Sequence, residues 1–318
     1  MANSSIPKSI SAPSAIDIGL ILLCALIWAS AFIGIKIAVV DFQPIMVAFS
    51  RVSIGSLLLF FYVWLQPLFK RQTSWPTGRA NWVKLCFIAI LYTAVPFSLI
   101  SWGQQYVSAS LTSIIMGSSP LIGFIIAHFT TRDEKLNRYK FMALITGLLG
   151  VYLAVDFSGN EGLTSGIWGI IAIFAALICY SVSGLITRSL TNGSTENISA
   201  AVLGLATMFL IPALFISGQY PSDFDNLSND AIWALIYLGL FPTGVAYLIR
   251  FHLILKIGFT AFLTSIFFIP IFGVFLSALL LGEELTMKIF LALSILVASL
   301  FISRLGNKKL KQKRAGQA

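Results

Sequence analysis

Long hydrophobic blocks separated by short polar segments form most of this chain. Each block has roughly 17–25 residues, the length at which a helix rising about 1.5 Å per residue crosses a hydrocarbon core of about 30 Å. Inside hydrocarbon a segment must satisfy its own backbone hydrogen bonds, so we expect every block to be an α-helix. The ten predicted spans are 17–39, 44–65, 82–102, 110–129, 139–155, 166–187, 197–217, 231–250, 259–281 and 286–304.

The spans divide into two sets of five at the polar, glycine-rich stretch DFSGNEGLTSG. Similar residues recur in the same order in both sets, which indicates an internal duplication. An odd number of crossings in each copy starts the second copy on the opposite side of the membrane. The predicted fold is therefore an all-α integral membrane protein with ten transmembrane helices arranged as two inverted five-helix repeats. The recurring pieces are ALIW at 25–28 and ALIC at 176–179, Pro120 and Pro270, Gly123 and Gly273, and Glu134 and Glu284.

The predicted organisation follows from these spans. The first repeat covers 17–156 and the second covers 166–304, and a periplasmic linker at 157–165 joins them. A cytoplasmic tail at 1–16 precedes the first repeat, and a basic cytoplasmic tail at 305–318 follows the second.

Composition and charge agree with a lipid environment. The 318 residues are 58% hydrophobic and only 10% charged, which a water-soluble surface does not allow. The net charge of +9 could indicate nucleic acid, but all except three of the 21 Lys and Arg fall in segments on one side of the membrane. By the positive-inside rule that side is the cytoplasm. We expect a multi-pass membrane protein with cytoplasmic N- and C-termini, surrounded by the lipid bilayer and without a nucleic-acid partner.

Proline and glycine recur at equivalent places of the fourth and ninth helices. Proline removes a backbone donor and clashes with the preceding turn, so both helices are predicted to kink near Pro120 and Pro270. Gly123 and Gly273 are expected to permit close helix approach there. Simple tolerance of proline and glycine in membrane helices is the alternative.

Polar and aromatic residues at helical spacing predict a pathway for a solute, and hydrogen bonding between helices is the alternative for each stripe. A pathway with hydroxyl and aromatic groups and little fixed charge favours neutral, zwitterionic or amphipathic cargo. A polyanion such as a nucleotide sugar would require several buried Lys or Arg. The predicted pathway residues are Trp28, Ser98, Trp102, Ser118, Ser119, Tyr180, Ser183, Thr243 and Tyr247.

Four charged residues are candidates for gating or structural roles. Intramembrane charges are costly and so are functional candidates, but Arg51 and Lys36 lie in the outer half of their helices. There a long side chain can snorkel to the headgroups or pair with carbonyls. Glu134 and Glu284 occupy equivalent places in the two repeats, which fits helix capping or gate contacts. Coupling to protons, facilitated movement and exchange all stay open.

Enzyme chemistry has little support in the sequence. His128 and His252 stand alone without a second metal ligand, and neither is placed to activate Ser118 or Ser119. We expect no catalytic residue, no metal and no cofactor.

Two small-x-x-x-small patterns bear on the oligomeric state. Ala143 with Gly147, and Ser294 with Ala298, favour close packing either within the chain or across a homodimer face.

Several stretches resemble the EamA-type branch of the drug/metabolite transporter superfamily. They are ALIWASAFIGIK at 25–36, FSRVSIGSLLL at 49–59, SSPLIG at 118–123 and the long segment at 251–285 that ends in LLGEEL. TTRDEKL after the fourth helix and Pro242 in the eighth depart from the usual pattern. The resemblance implies a ten-helix secondary transporter of the bacterial cytoplasmic (inner) membrane that exports amino acids, other small metabolites or drug-like amphipathic compounds by alternating access. A lipid flippase, or an exchanger of phosphorylated or nucleotide-sugar solutes, is the alternative.

Overall fold

The chain forms a bundle of long helices. The structure, a computed structural model, describes residues 13–69, 73–130, 136–155, 163–220, 227–258 and 262–315. Within these ranges every predicted span is helical, which confirms the all-α fold. The helices are α1 (Ala15–Ala38), α2 (Pro44–Leu65), α3 (Arg79–Gly103), α4 (Ala109–Thr130), α5 (Arg138–Ala154), α6 (Leu163–Arg188), α7 (Thr195–Ser217), α8 (Asn229–Leu238, Gly239–Val245 and Ala246–Ile257), α9 (Leu263–Phe267 and Ile269–Leu281) and α10 (Met287–Ala315).

Length and apolar composition mark most of these helices as membrane spans. Among the described residues, seven helices are long and apolar enough to cross a bilayer, and two shorter apolar segments, Ser265–Leu281 and Met287–Ser303, accompany them. Two predicted boundaries differ from the observed ones. α6 begins at Leu163, inside the predicted linker, and α10 continues to Ala315, so part of the predicted basic tail extends the last helix.

The helix packing shows a pseudo-twofold relation between the two halves. α2 packs on its counterpart α7, α4 on α9, and α5 on α10. The remaining contacts come in matched sets, since α3 packs on α6 as α8 packs on α1, and α1 contacts α9 as α6 contacts α4. This is the arrangement expected of a duplicated unit, and it places α1, α2, α3, α6, α7 and α8 around the junction of the repeats.

α4 and α9 are both interrupted just before the recurring proline. α4 breaks at Ser118 between Ala109–Gly117 and Ser119–Thr130, and the α-helical part of α9 begins at Ile269 after a 3₁₀ segment. Each proline is therefore near the start of a helical piece, where its missing N–H costs least. The ring of Pro270 packs against Gly117, where an added Cβ would lie 2.7 Å from its Cγ.

The two glycines after these prolines differ in their surroundings. An added Cβ at Gly273 would collide with the side chain of Ser113, so close contact between α9 and α4 requires glycine there. Nothing lies within 4 Å of the corresponding point at Gly123. The expected close approach is therefore wrong for Gly123, because the neighbouring helix crosses α4 one turn or more before this residue.

Small residues also bring α5 against α10. Gly147 lies against both α4 and α10, since an added Cβ there would collide with Leu121 Cδ1 and lie 2.9 Å from the Ser299 hydroxyl, and Ala143 one turn earlier is fully buried. Ser294 and Ala298 are instead exposed on the outside of the bundle. The first small-residue pattern thus packs the two repeats together, while the second takes no part in that contact.

Gly103 of α3 and Gly169 of α6 form a reciprocal contact across the repeat boundary. A Cβ at Gly169 would lie 2.9 Å from the carbonyl oxygen of Gly103, and one at Gly103 would lie 2.8 Å from the carbonyl oxygen of Gly169. Backbone atoms cannot rotate away as side chains can, so this contact tolerates only glycine.

We expect Gly169→Val to lower the thermal stability of the purified protein, since overpacking of this kind costs about 1–3 kcal/mol. The matched control is Gly184→Val in the same helix, where nothing lies within 4 Å of the added Cβ. Replacing glycine by valine changes the helix propensity by the same amount in both variants. Thermal unfolding in detergent measures the difference, and equal melting temperatures would contradict the prediction.

Candidate functional site

The junction of the repeats contains two π-helical segments at equivalent places. They are Ala89–Ala94 in α3 and Gly239–Val245 in α8, whose first residues are 150 positions apart. A π-helical turn disturbs the normal hydrogen-bond ladder, and such turns frequently occur at functional sites. The segment in α8 packs on α2, and the segment in α3 packs on α7. These two places therefore mark the candidate site.

Pro242 explains why α8 departs from regular helix. It has no N–H for the carbonyl of Leu238, four residues earlier. The backbone forms a π-helical turn there, and the hydroxyl of Thr243 also donates to that carbonyl oxygen, at 2.8 Å. Trp28 of α1 donates from its indole Nε1 to the Pro242 carbonyl oxygen at 3.2 Å. Two side chains thus add donors to carbonyl oxygens of the irregular turn.

Arg51 of α2 lies in this junction, with only 5% of its surface exposed. Its Nε donates to the Thr243 hydroxyl oxygen at 3.2 Å, and its guanidinium carbon lies 3.9 Å from the centre of the Phe97 ring. The expectation that Arg51 snorkels to the headgroups or pairs with carbonyls is therefore wrong. The reason is the close approach of α2 and α8 at Gly55, whose Cα faces Thr243 and brings the hydroxyl within reach.

Three tyrosines lie in the same part of the repeat junction as Arg51. Tyr92 of α3 and Tyr180 of α6 meet edge to face with their ring centres 5.4 Å apart. The guanidinium carbon of Arg250 lies 6.0 Å from the ring centre of Tyr92 and 5.7 Å from that of Tyr247. Tyr92, Tyr180 and Tyr247 belong to the same hydrophobic cluster as Phe97. We call Arg51, Tyr92, Phe97, Tyr180, Thr243, Tyr247 and Arg250 the arginine–aromatic cluster.

The cluster contains three predicted pathway residues, the candidate charge Arg51, and Arg250, which lies on the same side of α8 as Thr243 and Tyr247, together with two residues that were missed. Tyr180, Thr243 and Tyr247 were predicted, and Trp28 lies next to them through Pro242. Tyr92 and Phe97 were not. The repeat carries a signal for Phe97, because it precedes Tyr247 by 150 positions, the same offset that relates Pro120 to Pro270. Tyr92 corresponds to Pro242 at this offset, so the repeat gives no such signal for it.

Of the other predicted pathway residues, Ser183 touches the arginine–aromatic cluster through the backbone of Tyr180, and the contacts of the described residues bring none of the rest to it. Three of the serines donate to carbonyl oxygens of their own helices, Ser98 to Ala94 at 2.9 Å, Ser118 to Ile115 at 2.6 Å and Ser183 to Tyr180 at 2.8 Å. Trp102 packs edge to face on Tyr106, with 5.0 Å between ring centres, near the end of α3. Ser119 is half-buried where α4 breaks.

One end of the bundle is closed by charged contacts, and we call it the Glu283 face. The carboxylate of Glu283, after α9, accepts hydrogen bonds from the backbone N–H groups of Ala109 at 2.8 Å and Ser110 at 3.0 Å. It thereby caps the first turn of α4, where a helix N-terminus favours an anion. Lys36 of α1 donates to the carbonyl oxygens of Gln104 at 2.7 Å and Val107 at 3.0 Å, so it pairs with carbonyls.

The predicted capping residues of the two repeats need correction. Glu284 is exposed, and the adjacent Glu283 makes the cap because the left-handed Gly282 (φ 68°) turns the chain back toward α4. Glu134 lies outside the described residues. Also on this face, Asp41 accepts from the backbone N–H and hydroxyl of Ser228, and these hydrogen bonds hold the pKa of Asp41 below its usual value. This contact is therefore retained at neutral pH.

The opposite end, which we call the Asn81 face, also joins the two repeats. The Asn81 amide nitrogen donates to the Thr191 hydroxyl and to the Asn192 side-chain oxygen, each at 3.0 Å. Asp17 at the start of α1 forms an ion pair with Lys256 of α8, at 2.8 Å. The arginine–aromatic cluster thus lies between two polar layers, each of which holds the repeats together at one end of the bundle.

Comparisons with known proteins agree on one family. The model of the EamA-like transporter family matches the chain twice, at residues 16–155 and 167–305. An uncharacterized transporter of Bacillus subtilis, YoaV, is 23% identical over 89% of this chain and 94% of its own length. Protein PagO of Salmonella typhimurium is 26% identical over 89% of this chain and 91% of its own length. A solved crystal structure covers 93% of this chain and 99% of its own, with a TM-score of 0.65 and 15% identity, and this likeness shows the fold alone.

We expect Glu283→Ala to loosen the start of α4, because two backbone N–H groups lose a charged acceptor. Charge-assisted hydrogen bonds of this kind slow amide exchange by roughly tenfold or more. Hydrogen–deuterium exchange of a peptide covering 104–117 measures the effect. Glu284→Ala removes the same charge from the neighbouring position and should leave exchange unchanged, so equal exchange in the two variants would contradict the assignment.

Proposed function

We propose that this chain, which belongs to the EamA-like transporter family, is a secondary transporter that moves small organic solutes across a membrane by alternating access. The observation that carries the proposal is the buried arginine–aromatic cluster at the junction of the two repeats. Duplicated, oppositely oriented halves that enclose a site near the membrane centre are common in secondary transporters. Transport of this kind breaks no covalent bond in the solute, so the proposal assigns no catalytic residue.

The contacts at the two faces support alternating access. Glu283 and Lys36 join elements of different helices at one end, and Asn81 and Asp17 do so at the other. Release of one layer while the other holds would open the cluster to one side of the membrane at a time. The interruptions in α4 and α9 and the π-helical turns in α3 and α8 offer places where such movement can bend the helices.

The chemistry of the cluster supports an amphipathic or zwitterionic cargo. The tyrosine rings and Phe97 provide flat apolar surfaces, and the tyrosine hydroxyls and the two arginines provide polar contacts. Amino acids, other small metabolites and drug-like amphipathic compounds all combine these features. The resemblance to EamA-type exporters supports export as the direction.

The distribution of positive charge supports a bacterial inner-membrane location with the Asn81 face toward the cytoplasm. On this orientation both termini are cytoplasmic. Reporter fusions test it. We expect cytoplasmic reporter activity for fusions after residue 14 and at the C-terminus, and periplasmic activity for a fusion in the loop after α9, at Thr286. Signals from the two termini on different sides of the membrane would contradict the proposal.

We expect the chain, expressed in a hypersensitive bacterium, to confer resistance to some toxic amino acids, amino-acid analogues or lipophilic cations, and to increase efflux of the labelled compound. Tyr180→Ala and Trp28→Ala should abolish this efflux, because each removes an aromatic surface at the repeat junction. The matched control is Trp233→Ala, since Trp233 is 67% exposed on the outside of α8. Normal expression without resistance to any compound would contradict the proposed function, and full efflux by both variants would contradict the site.

A further inference from the structure

Arg51 is a buried cation without a carboxylate partner in the part of the chain that the structure describes. The ion pair found there joins Asp17 and Lys256. The other described acidic residues lie at helix ends or in the loops that connect helices, far from the π-helical turn of α8. A charged side chain near the centre of a bilayer costs about 2.5–3.5 kcal/mol on insertion scales, so an unpaired arginine there requires a reason.

The hydrogen bonding of Arg51 leaves its most selective donors available. Only Nε has a protein acceptor among the described residues, the Thr243 hydroxyl at 3.2 Å. One face of the guanidinium is covered by the Phe97 ring at 3.9 Å. These contacts fix the plane of the group and leave the Nη1 and Nη2 fork without a shown acceptor. That fork matches the two oxygens of a carboxylate.

The second repeat shows that the fold does not need this charge. The positions of α7 that correspond to Arg51, at offsets of 149 and 150 residues, are Ala200 and Ala201, and both are buried. Ala200 and Ala201 lie in a contact equivalent to that of Arg51, since α7 packs on the π-helical turn of α3 just as α2 packs on the π-helical turn of α8. Two equivalent packing sites therefore carry alanine in one case and arginine in the other. A structural requirement would apply to both.

Arg250 extends the same chemistry along α8. It lies seven residues after Thr243, which is about two turns or 10 Å along a helix, on the same side. Tyr247 lies between them, one turn after Thr243. Arg250 is half-buried, whereas Arg51 is buried. An anionic group entering from the Asn81 face thus meets Arg250 first, next to Tyr92 and Tyr247, and Arg51 deeper in the bundle.

We infer that Arg51 binds the carboxylate of the transported solute, which makes the substrate class a small molecule with one carboxylate and an apolar or aromatic body. The guanidinium fork holds the two carboxylate oxygens, and the rings of Tyr92, Tyr180 and Tyr247 would contact the body of the solute. Thr243 and Phe97 orient the guanidinium. This inference rests on the proposed transport function and deepens it.

Competition in proteoliposomes tests the inference with matched compounds. The purified protein is assayed for uptake of labelled L-phenylalanine and L-leucine and, in parallel, of phenylalaninamide, leucinamide and phenethylamine. We expect the acids to be transported with an apparent affinity roughly 10- to 100-fold higher than the amides and the amine, as for loss of a charge-assisted bidentate hydrogen bond. 3-Phenylpropionate, which keeps the carboxylate and the aromatic ring but lacks the amino group, should compete with phenylalanine.

Variants of Arg51 separate recognition from folding. Arg51→Gln should bring the acid-to-amide preference close to unity, while Arg51→Lys should retain a weakened preference because it keeps the charge and loses the fork. Lys288→Gln, which removes a positive charge from the exposed start of α10, should behave as the unmodified protein. Size-exclusion elution and thermal unfolding check that each variant is folded.

The outcomes are distinguishable. If acids and amides are transported equally, or if Arg51→Gln lowers transport of both to the same extent, the inference is overturned while the transport function stands. If none of these compounds is transported while the folded protein moves another compound of the resistance panel, the inference is overturned and the transport function stands; if no compound of either panel is moved, both are overturned. An acid-to-amide preference that disappears in Arg51→Gln and is partly restored in Arg51→Lys supports the inference.

Discussion

The bilayer interior contains no water to satisfy a backbone carbonyl, and the candidate site depends on how α8 meets this constraint. Pro242 deprives the Leu238 carbonyl of its usual donor, the backbone forms a π-helical turn there, and the Thr243 hydroxyl donates to the same carbonyl oxygen. The oxygen of that hydroxyl is then the acceptor for Arg51 Nε. One irregular turn therefore explains both why a polar side chain is fixed at the repeat junction and why a charged side chain can be held there.

Duplication supplied the framework, and divergence between the copies made the site. Thr93 and Thr243 occupy equivalent places in the two π-helical turns, and both are buried. Thr243 bonds to Leu238 and Arg51, while the Thr93 hydroxyl has no partner among the described residues. The packing of α7 on the turn of α3 thus serves as scaffold, whereas the packing of α2 on the turn of α8 forms a polar site. This difference places the buried Arg51 on one side of a symmetric fold.

The helices could be predicted from the sequence because bilayer thickness sets their length, and the repeat could be predicted because proline and glycine recur at a constant offset. The site could be predicted only in part. Helical periodicity shows which residues share a face, but it does not show which helix lies opposite, so Arg51 was expected at the headgroups. Ser98, Ser118 and Ser183 were expected to line a pathway, yet a serine hydroxyl in a membrane helix can bond to a carbonyl three or four residues earlier in its own helix.

The two closing layers are comparable in strength, and this bears on how the proposed transporter alternates between them. At the Glu283 face, a half-buried carboxylate caps α4 and half-buried Lys36 bonds to two carbonyl oxygens. At the Asn81 face, Lys256, whose side chain is 42% exposed, pairs with the buried carboxylate of Asp17, and Lys84 donates to the Ser189 carbonyl oxygen at 2.6 Å. Exposed ion pairs contribute about 0–1 kcal/mol and shielded charge-assisted hydrogen bonds about 1.5–3 kcal/mol, so contacts that are only partly shielded lie between these values. Neither layer is therefore much stronger than the other, and a difference of a few kcal/mol in how a solute binds the two states is enough to shift the balance between them, as the proposed alternating access requires.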